Sequence, residues 1–353
     1  MKQDIRKLTA PQLKDWLTAQ GQQGFRAKQI QEWLWKKSAQ SFDQMTNLSL
    51  PMRELLGTHF DIRPLTVDQQ QRSNDGTIKS SFRLYDGNLV EGVLIPALRH
   101  DISMEGLQDR MTACVSSQVG CSLTCKFCAT GYMDRKRNLD AAEIYDQVVA
   151  IDRQAKENYD VPLSNIVYMG MGEPLLNYKN VLESVDRITS PDGLGMSPKR
   201  ITVSTAGIAK MIRQLGDDAV KFNLALSLHA ANDVKRDTIM PINESNTLQA
   251  LGDALGYFYK KTGTRITFEY ILFYNFNDTL QDAQELWAFT KKVPAKVNII
   301  EYNPIAEANF KNTDPQTLDR FAGFLENKGV TVNVRRSRGK DIDAACGQLA
   351  GKK

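Results

Sequence analysis

The chain has 353 residues, 42% of them hydrophobic, and a formal net charge of +4. That length allows one large core plus a small accessory domain, and no apolar run approaches the roughly 18 residues of a membrane span. Five clustered cysteines exclude the disulfide framework of a small secreted protein and favour a reducing compartment. The first residues carry no apolar segment of a secretory signal, so we expect a cytoplasmic protein that makes no membrane contact.

The charge is unevenly distributed along the chain. Residues 1–50 hold eight Lys or Arg against four Asp or Glu, and residues 335–353 hold six against two. Basic ends around a balanced middle are typical of an RNA-binding protein, although solvated helix faces give the same pattern.

Residues 1–60 are predicted to form a small helical accessory domain. Thr9 is a suitable N-cap for a helix that carries Leu13 and Leu17. The segment Gly-Phe-Arg-Ala-Lys-Gln-Ile at residues 24–30 brings aromatic, basic and apolar groups together in a second helix. This combination suits RNA binding, and it suits plain packing almost as well.

Residues 61–106 are predicted to form a short antiparallel β meander and linker. Asn-Asp-Gly at residues 74–76 and Asp-Gly-Asn at 86–88 are strong hairpin turns between alternating segments. The meander would end in the run 90–96. Residues 97–109 look like an insertion before the segment that follows.

From residue 107 to residue 340, strands alternate with amphipathic helices such as those at 141–156 and 280–292. This is the parallel βα pattern of the α/β class, and six or seven units predict an open, partial (β/α) barrel. Residues 341–353 are predicted to form a C-terminal tail. The predicted strands are residues 111–116, 166–169, 200–204, 222–228, 265–273, 297–302 and 330–335.

Three cysteines, Cys121, Cys125 and Cys128, share one short loop with the spacing C-x3-C-x2-C. Thiolates hold iron–sulfur clusters, and three ligands on a four-iron cube leave one iron open. A structural zinc site would need a fourth ligand from elsewhere in the chain. The spacing resembles that of the radical S-adenosylmethionine (SAM) superfamily, whose open iron binds SAM.

Polar motifs follow the predicted strands at the edge where βα folds place their active sites. The resemblance implies that these residues bind SAM, with Glu173 accepting from its amino group and the later ones contacting carboxylate and ribose. Each could instead be a turn or a cap. The residues are Gly172, Glu173, Ser204, Ser227, Leu228, His229 and Asn303.

Two more cysteines lie outside the triplet, Cys114 in the string TACVSSQVG and Cys346 in DIDAACGQL. Together with MGMGEPLLN at residues 169–177, these strings closely resemble the RlmN/Cfr family of radical SAM RNA methyltransferases, and specifically the RlmN-type adenine-C2 enzymes. The resemblance implies methylation of carbon 2 of an adenosine in the peptidyl transferase centre of 23S rRNA and of one beside the tRNA anticodon. It also implies one [4Fe-4S] cluster held by the triplet.

The family mechanism assigns roles to three further residues. Cys346 would take a methyl group from one SAM, and a 5′-deoxyadenosyl radical from a second SAM would remove a hydrogen from that methyl. The methylene radical would add to carbon 2 and form a covalent protein–RNA adduct. Glu91 would remove the ring proton, and Cys114 would attack the Cys346 sulfur and release the RNA by disulfide formation.

Two alternatives remain open at this stage. The Cfr-type enzymes methylate carbon 8 and share the cysteines, although Val119 and the DAACGQL ending favour the carbon-2 group. A zinc-stabilised, non-catalytic RNA-binding protein is the more remote possibility. The expected partners are 23S rRNA, tRNA and an electron donor such as flavodoxin or ferredoxin, and we expect a monomer.

Overall fold

A computed structural model describes residues 2–97 and 109–351 of the chain. At its centre is a ten-stranded sheet with the spatial order β14-β13-β12-β11-β10-β9-β6-β5-β4-β3. Its strands are β3 (Thr66–Arg72), β4 (Ile78–Arg83), β5 (Leu89–Ala97), β6 (Arg110–Cys114), β9 (Asn165–Tyr168), β10 (Ile201–Thr205), β11 (Asn223–Ser227), β12 (Ile266–Ile271), β13 (Ala295–Ile300) and β14 (Thr331–Arg335). Two short pairs are separate, β1 (Gln3–Asp4) with β2 (Phe60–Asp61) and β7 (Gln118–Val119) with β8 (Arg137–Asn138).

Seven of these strands, from β6 to β14 across the sheet, are parallel neighbours, as the alternating sequence pattern predicts. Within the described residues, β14 and β3 each pair with a neighbour on one side only, so the sheet does not close on itself. The predicted partial barrel is confirmed. Helices connect the parallel strands: α4 (Ala141–Tyr159), α5 (Tyr178–Thr189), α6 (Ala209–Asp217), α7 (Asp233–Ile239), α8 (Leu248–Thr262), α9 (Leu280–Thr290) and α10 (Pro315–Asn327). None of the helices in the described part of the chain is long and apolar enough to span a membrane.

Helix α4 shows how the local sequence builds this layer. It begins at a capping box in which Asp140 and Glu143 each accept a hydrogen bond from the other's backbone N–H. Ile144, Val148 and Ile151 follow at helical spacing and are fully buried. Helix α4 therefore covers the outer face of the sheet and leaves the inner face free for the site.

The antiparallel meander is continuous with the parallel sheet. Strand β5 pairs antiparallel with β6, with Val93 opposite Cys114, so β3, β4 and β5 extend the barrel wall. Phe82 and Ile78 on the outer face of β4 are buried, which joins the meander to the common core. Most of the predicted insertion, residues 98–108, lies outside the described residues.

The N-terminal segment forms three helices, α1 (Ala10–Ala19), α2 (Arg26–Gln31) and α3 (Leu50–His59). Thr9 caps α1 through a capping box with Gln12, as its position predicts. These helices pack on the core, since Trp35 stacks edge-on against Tyr145 of α4 with ring centres 5.1 Å apart. The guanidinium of Arg6 donates two 2.8 Å hydrogen bonds to Asp146.

The C-terminal segment, residues 336–351, crosses from β14 to the meander. Arg336 and Lys340 form ion pairs of 2.8 and 2.7 Å with Glu301, which follows β13. The Gly339 N–H then donates to Asp75 at 2.8 Å in the β3–β4 turn, and Asp341 accepts from Ser73 at 2.5 Å. This segment therefore links the two sides of the open barrel and carries Cys346 across its mouth.

Candidate active site

The cysteine loop between β7 and β8 is held in a tight, partly strained shape. Thr124, between Cys121 and Cys125, has φ of 51°, which a β-branched residue rarely adopts. A Cβ on Gly131 would lie 2.6 Å from the Cys125 carbonyl oxygen, so glycine is required there. Such strain is tolerated where the loop must present its side chains in a fixed arrangement.

Gly120 also requires glycine, because its φ is +74° and a Cβ would lie 2.2 Å from the carbonyl oxygen of Asp134. The residue that Gly120 approaches is Asp134. It has no positive φ in the structure, so aspartate fits this loop without backbone strain.

A cavity of about 940 Å³, counted with its solvent-open part, lies between the cysteine loop and the strand ends. We call it the cofactor cavity, and its lining includes Cys121, Cys125, Cys128, Gly172, Glu173, Ser204, Ser227, His229, Glu269, Arg335 and Cys346. The structure thus brings together most of the residues that the sequence predicts for cluster and SAM.

The three cysteines fit an iron–sulfur cluster better than a single ion. Within residues 2–97 and 109–351, no group of three Cys, His, Asp or Glu side chains is placed to hold a single metal ion, and thiolates grouped on one loop are typical of iron–sulfur ligation. Burial raises the pKa of Cys125 well above its usual value, and the charges of Cys128 and Cys121 add to this. Binding to iron removes those protons and relieves the mutual repulsion.

Glu173 is buried at the end of the loop after β9. Its Oε2 accepts a 2.8 Å hydrogen bond from the Ala206 N–H, and Oε1 accepts from the Leu175 N–H at 3.0 Å. Burial raises the pKa of this carboxyl group, and the backbone donors oppose that effect. A cationic amino group in the cavity would supply the countercharge that the protein itself does not provide.

Ser204 lies in β10, one residue before the strand ends, Ser227 is the last residue of β11, and His229 follows β11 by two residues. The two serine hydroxyls lie 3.3 Å apart. His229 Nδ1 accepts from the Ile271 N–H at 3.1 Å, and burial lowers the pKa of the imidazole to about 3. A neutral ring whose Nδ1 accepts must carry its proton on Nε2, so His229 offers the cavity a neutral donor.

Two predicted SAM residues lie beside the cavity instead of lining it. Leu228 is fully buried, and its N–H donates to the Glu269 carbonyl at 3.0 Å. Asn303 donates from Nδ2 to the Cys346 carbonyl at 3.1 Å, while its buried Oδ1 has no partner. Within the described residues, Glu269 Oε2 on the cavity wall also accepts no hydrogen bond, although it lies 3.6 Å from Arg335 Nη1 in an ion pair. The Asn303 oxygen therefore leaves hydrogen-bonding capacity for a polar cofactor.

Sequence reasoning missed two residues that shape this site. Arg236 on α7 is fully buried and donates to the carbonyls of Leu228, Ala206 and Ser227, so one guanidinium fixes two strand-end loops. Gln118 accepts from the Glu173 N–H at 2.8 Å. The string TACVSSQVG contains Gln118 but does not mark it as a site residue, and Arg236, an isolated arginine in an amphipathic helix, gives no sequence signal.

Cys346 lines the cofactor cavity, whereas Cys114 is not part of its lining. Cys346 lines the cofactor cavity with the three cluster cysteines, and the Ala129 N–H donates to the carbonyl of its neighbour Gly347 at 2.7 Å. Cys114 is buried at the end of β6, where burial, and next the charge of Cys346, raise its pKa to about 12. The two thiols are therefore electrostatic neighbours, and both are free.

Glu91 lies outside the cofactor cavity. Its carboxylate is buried on β5, and Oε2 accepts from the N–H groups of Ala350 and Gly351 at 2.8 and 3.1 Å. Lys79 Nζ is 3.7 Å from Oε1. The predicted base thus lies next to the C-terminal segment, on the same face of the sheet as Cys114.

Comparisons with known sequences agree with this geometry. The family described as "Ribosomal RNA large subunit methyltransferase N-terminal domain" matches residues 3–62, and the "Radical SAM superfamily" matches residues 115–286. A Cytophaga hutchinsonii protein named "Probable dual-specificity RNA methyltransferase RlmN" is 64% identical over 349 residues, covering 99% of this chain and 93% of the relative. The "Dual-specificity RNA methyltransferase RlmN" of Geotalea uraniireducens is 44% identical, covering 99% and 97%.

A solved structure of a radical SAM methyltransferase from Sphaerobacter thermophilus superposes with a TM-score of 0.90. Its sequence is 38% identical, and the match covers 99% of this chain and all of that one. Radical SAM enzymes use a [4Fe-4S] cluster and SAM, and those are the cofactors of this enzyme. The chain belongs to the RlmN family of radical SAM RNA methyltransferases.

Proposed function

We propose that this enzyme methylates carbon 2 of an adenosine in the peptidyl transferase centre of 23S rRNA and of an adenosine beside the tRNA anticodon. Its relatives' names describe them as dual-specificity RNA methyltransferases. The observation that carries the proposal is that Cys346 shares one cavity with the three cluster cysteines, while Cys114 lies behind it. Carbon 2 of adenine is electron-poor and cannot be methylated by direct displacement. A thiol that carries the methyl group beside a source of radicals, with a second thiol nearby, suits the methylation of such a carbon.

In this proposal Cys121, Cys125 and Cys128 hold the cluster, and SAM is bound by Gly172, Glu173, Ser204, Ser227, His229 and Asn303. Leu228 contributes its backbone between Ser227 and His229. When bound together, the cluster and SAM supply a 5′-deoxyadenosyl radical at the cavity. The protein positions the reacting groups and keeps water out of the buried pocket.

Cys346 is the methyl carrier. Burial raises the pKa of its thiol, and the charge of Arg335 lowers it, so the arginine favours the thiolate that accepts the methyl group of a first SAM. Asn303 holds the carbonyl of Cys346 at 3.1 Å, which fixes the carrier loop at the cavity. A second SAM is consumed in activating the methyl group for addition to carbon 2.

Release of the RNA is assigned to Glu91 and Cys114. Glu91 removes the proton from carbon 2 of the adduct, and the unpaired electron that radical addition leaves on the adduct would pass to the cluster. The Cys114 thiolate then attacks the Cys346 sulfur, so that an S–S bond forms while the sulfur–carbon bond breaks, and the released carbon takes up a proton to become the methyl group. The backbone N–H groups of Ala350 and Gly351 hold Oε2 of Glu91, which leaves Oε1, 3.7 Å from Lys79 Nζ, as the atom that would take the proton.

The proposal includes the partners of the enzyme. We propose a cytoplasmic monomer that receives electrons from a flavodoxin or ferredoxin. The groove between the N-terminal helices and α5 is charge-balanced, because four cations line it together with four carboxylates: Lys14, Lys28, Lys36 and Arg187 with Asp15, Glu32, Asp186 and Asp192. RNA binding at the accessory domain is supported instead by the match of residues 3–62 to the ribosomal RNA methyltransferase N-terminal domain.

The decisive experiment locates the methyl group. RNA from anaerobic reactions with wild-type enzyme, SAM and a reductant would be digested and analysed by mass spectrometry. We expect 2-methyladenosine in both 23S rRNA and tRNA fragments. Finding 8-methyladenosine would assign the enzyme to the Cfr type, and methylation of only one RNA class would refute dual specificity.

A further inference from the structure

A second cavity, of about 730 Å³, lies on the inner face of the antiparallel meander. We call it the meander cavity. Its walls are Gln69 and Gln71 on β3, Lys79 and Ser81 on β4, Glu91 on β5, and residues 341–343 of the C-terminal segment. None of its residues lines the cofactor cavity, and only Glu91 has a role in the proposed reaction.

The strand register makes these side chains one continuous surface. Gln69 is opposite Ser81, which is opposite Glu91, so the three form a row across the sheet. The neighbouring row runs from Gln71 through Lys79 and Val93 to Cys114. Because residues in register point to the same face of a sheet, the two glutamines, the base Glu91 and the resolving cysteine all face inward.

The cavity contains hydrogen-bonding groups that the protein does not use. Ser81 is 94% buried, yet its hydroxyl has no partner within the described chain. The side-chain amides of Gln69 and Gln71 also form no hydrogen bond to any described residue. A buried hydroxyl without a partner is rare in native proteins and indicates a missing ligand or water.

The charges select the kind of ligand. Glu91, Asp341 and Asp343 outnumber the single cation Lys79, so the cavity repels phosphate. Glutamine amides pair with an adenine edge by donating to N7 and accepting from the exocyclic N6 amine. Two strand spacings, roughly 10 Å, separate β3 from β5, which leaves room for one flat base between the glutamines and Glu91.

We propose that the meander cavity receives the target adenine after it leaves its stack, with Gln69 and Gln71 reading the N6–N7 edge and Ser81 bonding the ring. The opposite edge, which carries carbon 2, then faces Glu91. This inference rests on the proposed function and extends it, since it assigns the residues that recognise the substrate base. Enzymes that modify a flipped base read it by such edge contacts.

The test uses two hairpin RNAs that differ only at the target position, one carrying adenine and the other purine, which lacks the N6 amine. Their Kd values and KM values would be measured with wild-type enzyme and with Gln69→Ala and Gln71→Ala. We expect wild-type enzyme to prefer adenine by roughly 5- to 150-fold, the usual discrimination of a glutamine–adenine pair. Both variants should lose most of that preference.

Gln70→Ala is the matched control, because Gln70 is an exposed glutamine on the same strand but opposite Ser80, on the other face. It should discriminate like the wild type. Methyl loading of Cys346 in the absence of RNA, read by intact mass, should be equal in all four proteins and shows that each variant is folded and binds SAM.

The outcomes separate the two proposals. Equal adenine preference in Gln69→Ala, Gln71→Ala and wild type would overturn the adenine site while leaving the methylation proposal standing. Equal affinity of wild-type enzyme for adenine and purine RNA would do the same. Wild-type enzyme that loads Cys346 but never methylates RNA would refute the proposed function, and this inference with it.

Discussion

The cofactor cavity and the meander cavity lie on one continuous sheet but are constructed differently. The cofactor cavity is formed at the carboxyl ends of parallel strands, where Glu173 and His229 come from two different loops and Ser204 comes from the end of β10. The meander cavity is formed by the middles of antiparallel strands, where Gln69 and Gln71 or Lys79 and Ser81 alternate at a spacing of two. Loops allow a group to be placed from several directions, whereas strand faces give a flat surface.

Their electrostatics differ in the same way. In the cofactor cavity Glu173 and His229 are buried, which raises the pKa of Glu173 and lowers that of His229, while Arg335 in the same lining is exposed. The meander cavity is open enough for Gln69 and Gln71 to be exposed. The burial of Glu173 and His229 suits a cofactor that stays bound, and the exposure of Gln69 and Gln71 suits a substrate that enters and leaves.

The largest expected effect comes from removing the cluster ligands together. The triple change of Cys121, Cys125 and Cys128 to alanine should abolish bound iron and visible absorbance after anaerobic reconstitution, because no thiolate remains to hold the irons. RNA affinity should persist, since the meander cavity is unchanged. Cys114→Ala is the control and should keep its iron; a triple variant that retained a full iron complement would contradict the assignment.

The next effect separates the two isolated cysteines. Cys114→Ala should accumulate a covalent protein–RNA species, because methyl loading and addition proceed while release cannot. Cys346→Ala should form none, since no methyl is loaded. A denaturing gel with and without ribonuclease distinguishes them. Normal turnover by Cys114→Ala, or an adduct in Cys346→Ala, would show that the roles are wrong.

A smaller, graded effect is expected at the SAM site. Glu173→Ala should weaken SAM binding by roughly 10- to 100-fold, the equivalent of losing one hydrogen bond to a charged group. Calorimetry on the reconstituted protein measures the Kd, and the iron content should be unchanged. Glu157→Ala, at an exposed position on α4, is the matched control. An unchanged Kd in Glu173→Ala would place the amino group of SAM elsewhere.

The contrast between the cavities also explains what the sequence could predict. The order of strands and helices follows from alternating periodicity, and the cysteine triplet and Gly172-Glu173 are contiguous motifs. Gln69, Ser81 and Glu91 form a row only through the pairing register of three strands. The hydrogen bonds of Asn303 to Cys346 and of Arg236 to two loops join distant parts of the chain, so no local pattern encodes them.

The smallest expected effect is on the free energy of unfolding, and it tests whether His229 is buried away from water in the cofactor cavity. His229 has φ of 54°, a conformation that asparagine tolerates well, so His229→Asn is a suitable variant. In the folded protein, burial lowers the pKa of His229 to about 3, against 6.5 for a free histidine. Between these values the unfolded chain binds a proton that the folded protein does not, so acidification favours unfolding.

By about pH 5 the wild-type free energy of unfolding should fall by roughly 2 kcal/mol because of this group, at about 1.4 kcal/mol per pH unit below 6.5. The two other histidines are present in both proteins, so the difference between wild type and His229→Asn isolates the effect. Denaturant unfolding at about pH 7 and pH 5 measures it. The same pH dependence in both proteins would mean that His229 is protonated in the folded state and that water reaches the imidazole, which would remove the contrast between the buried His229 of the cofactor cavity and the exposed glutamines of the meander cavity.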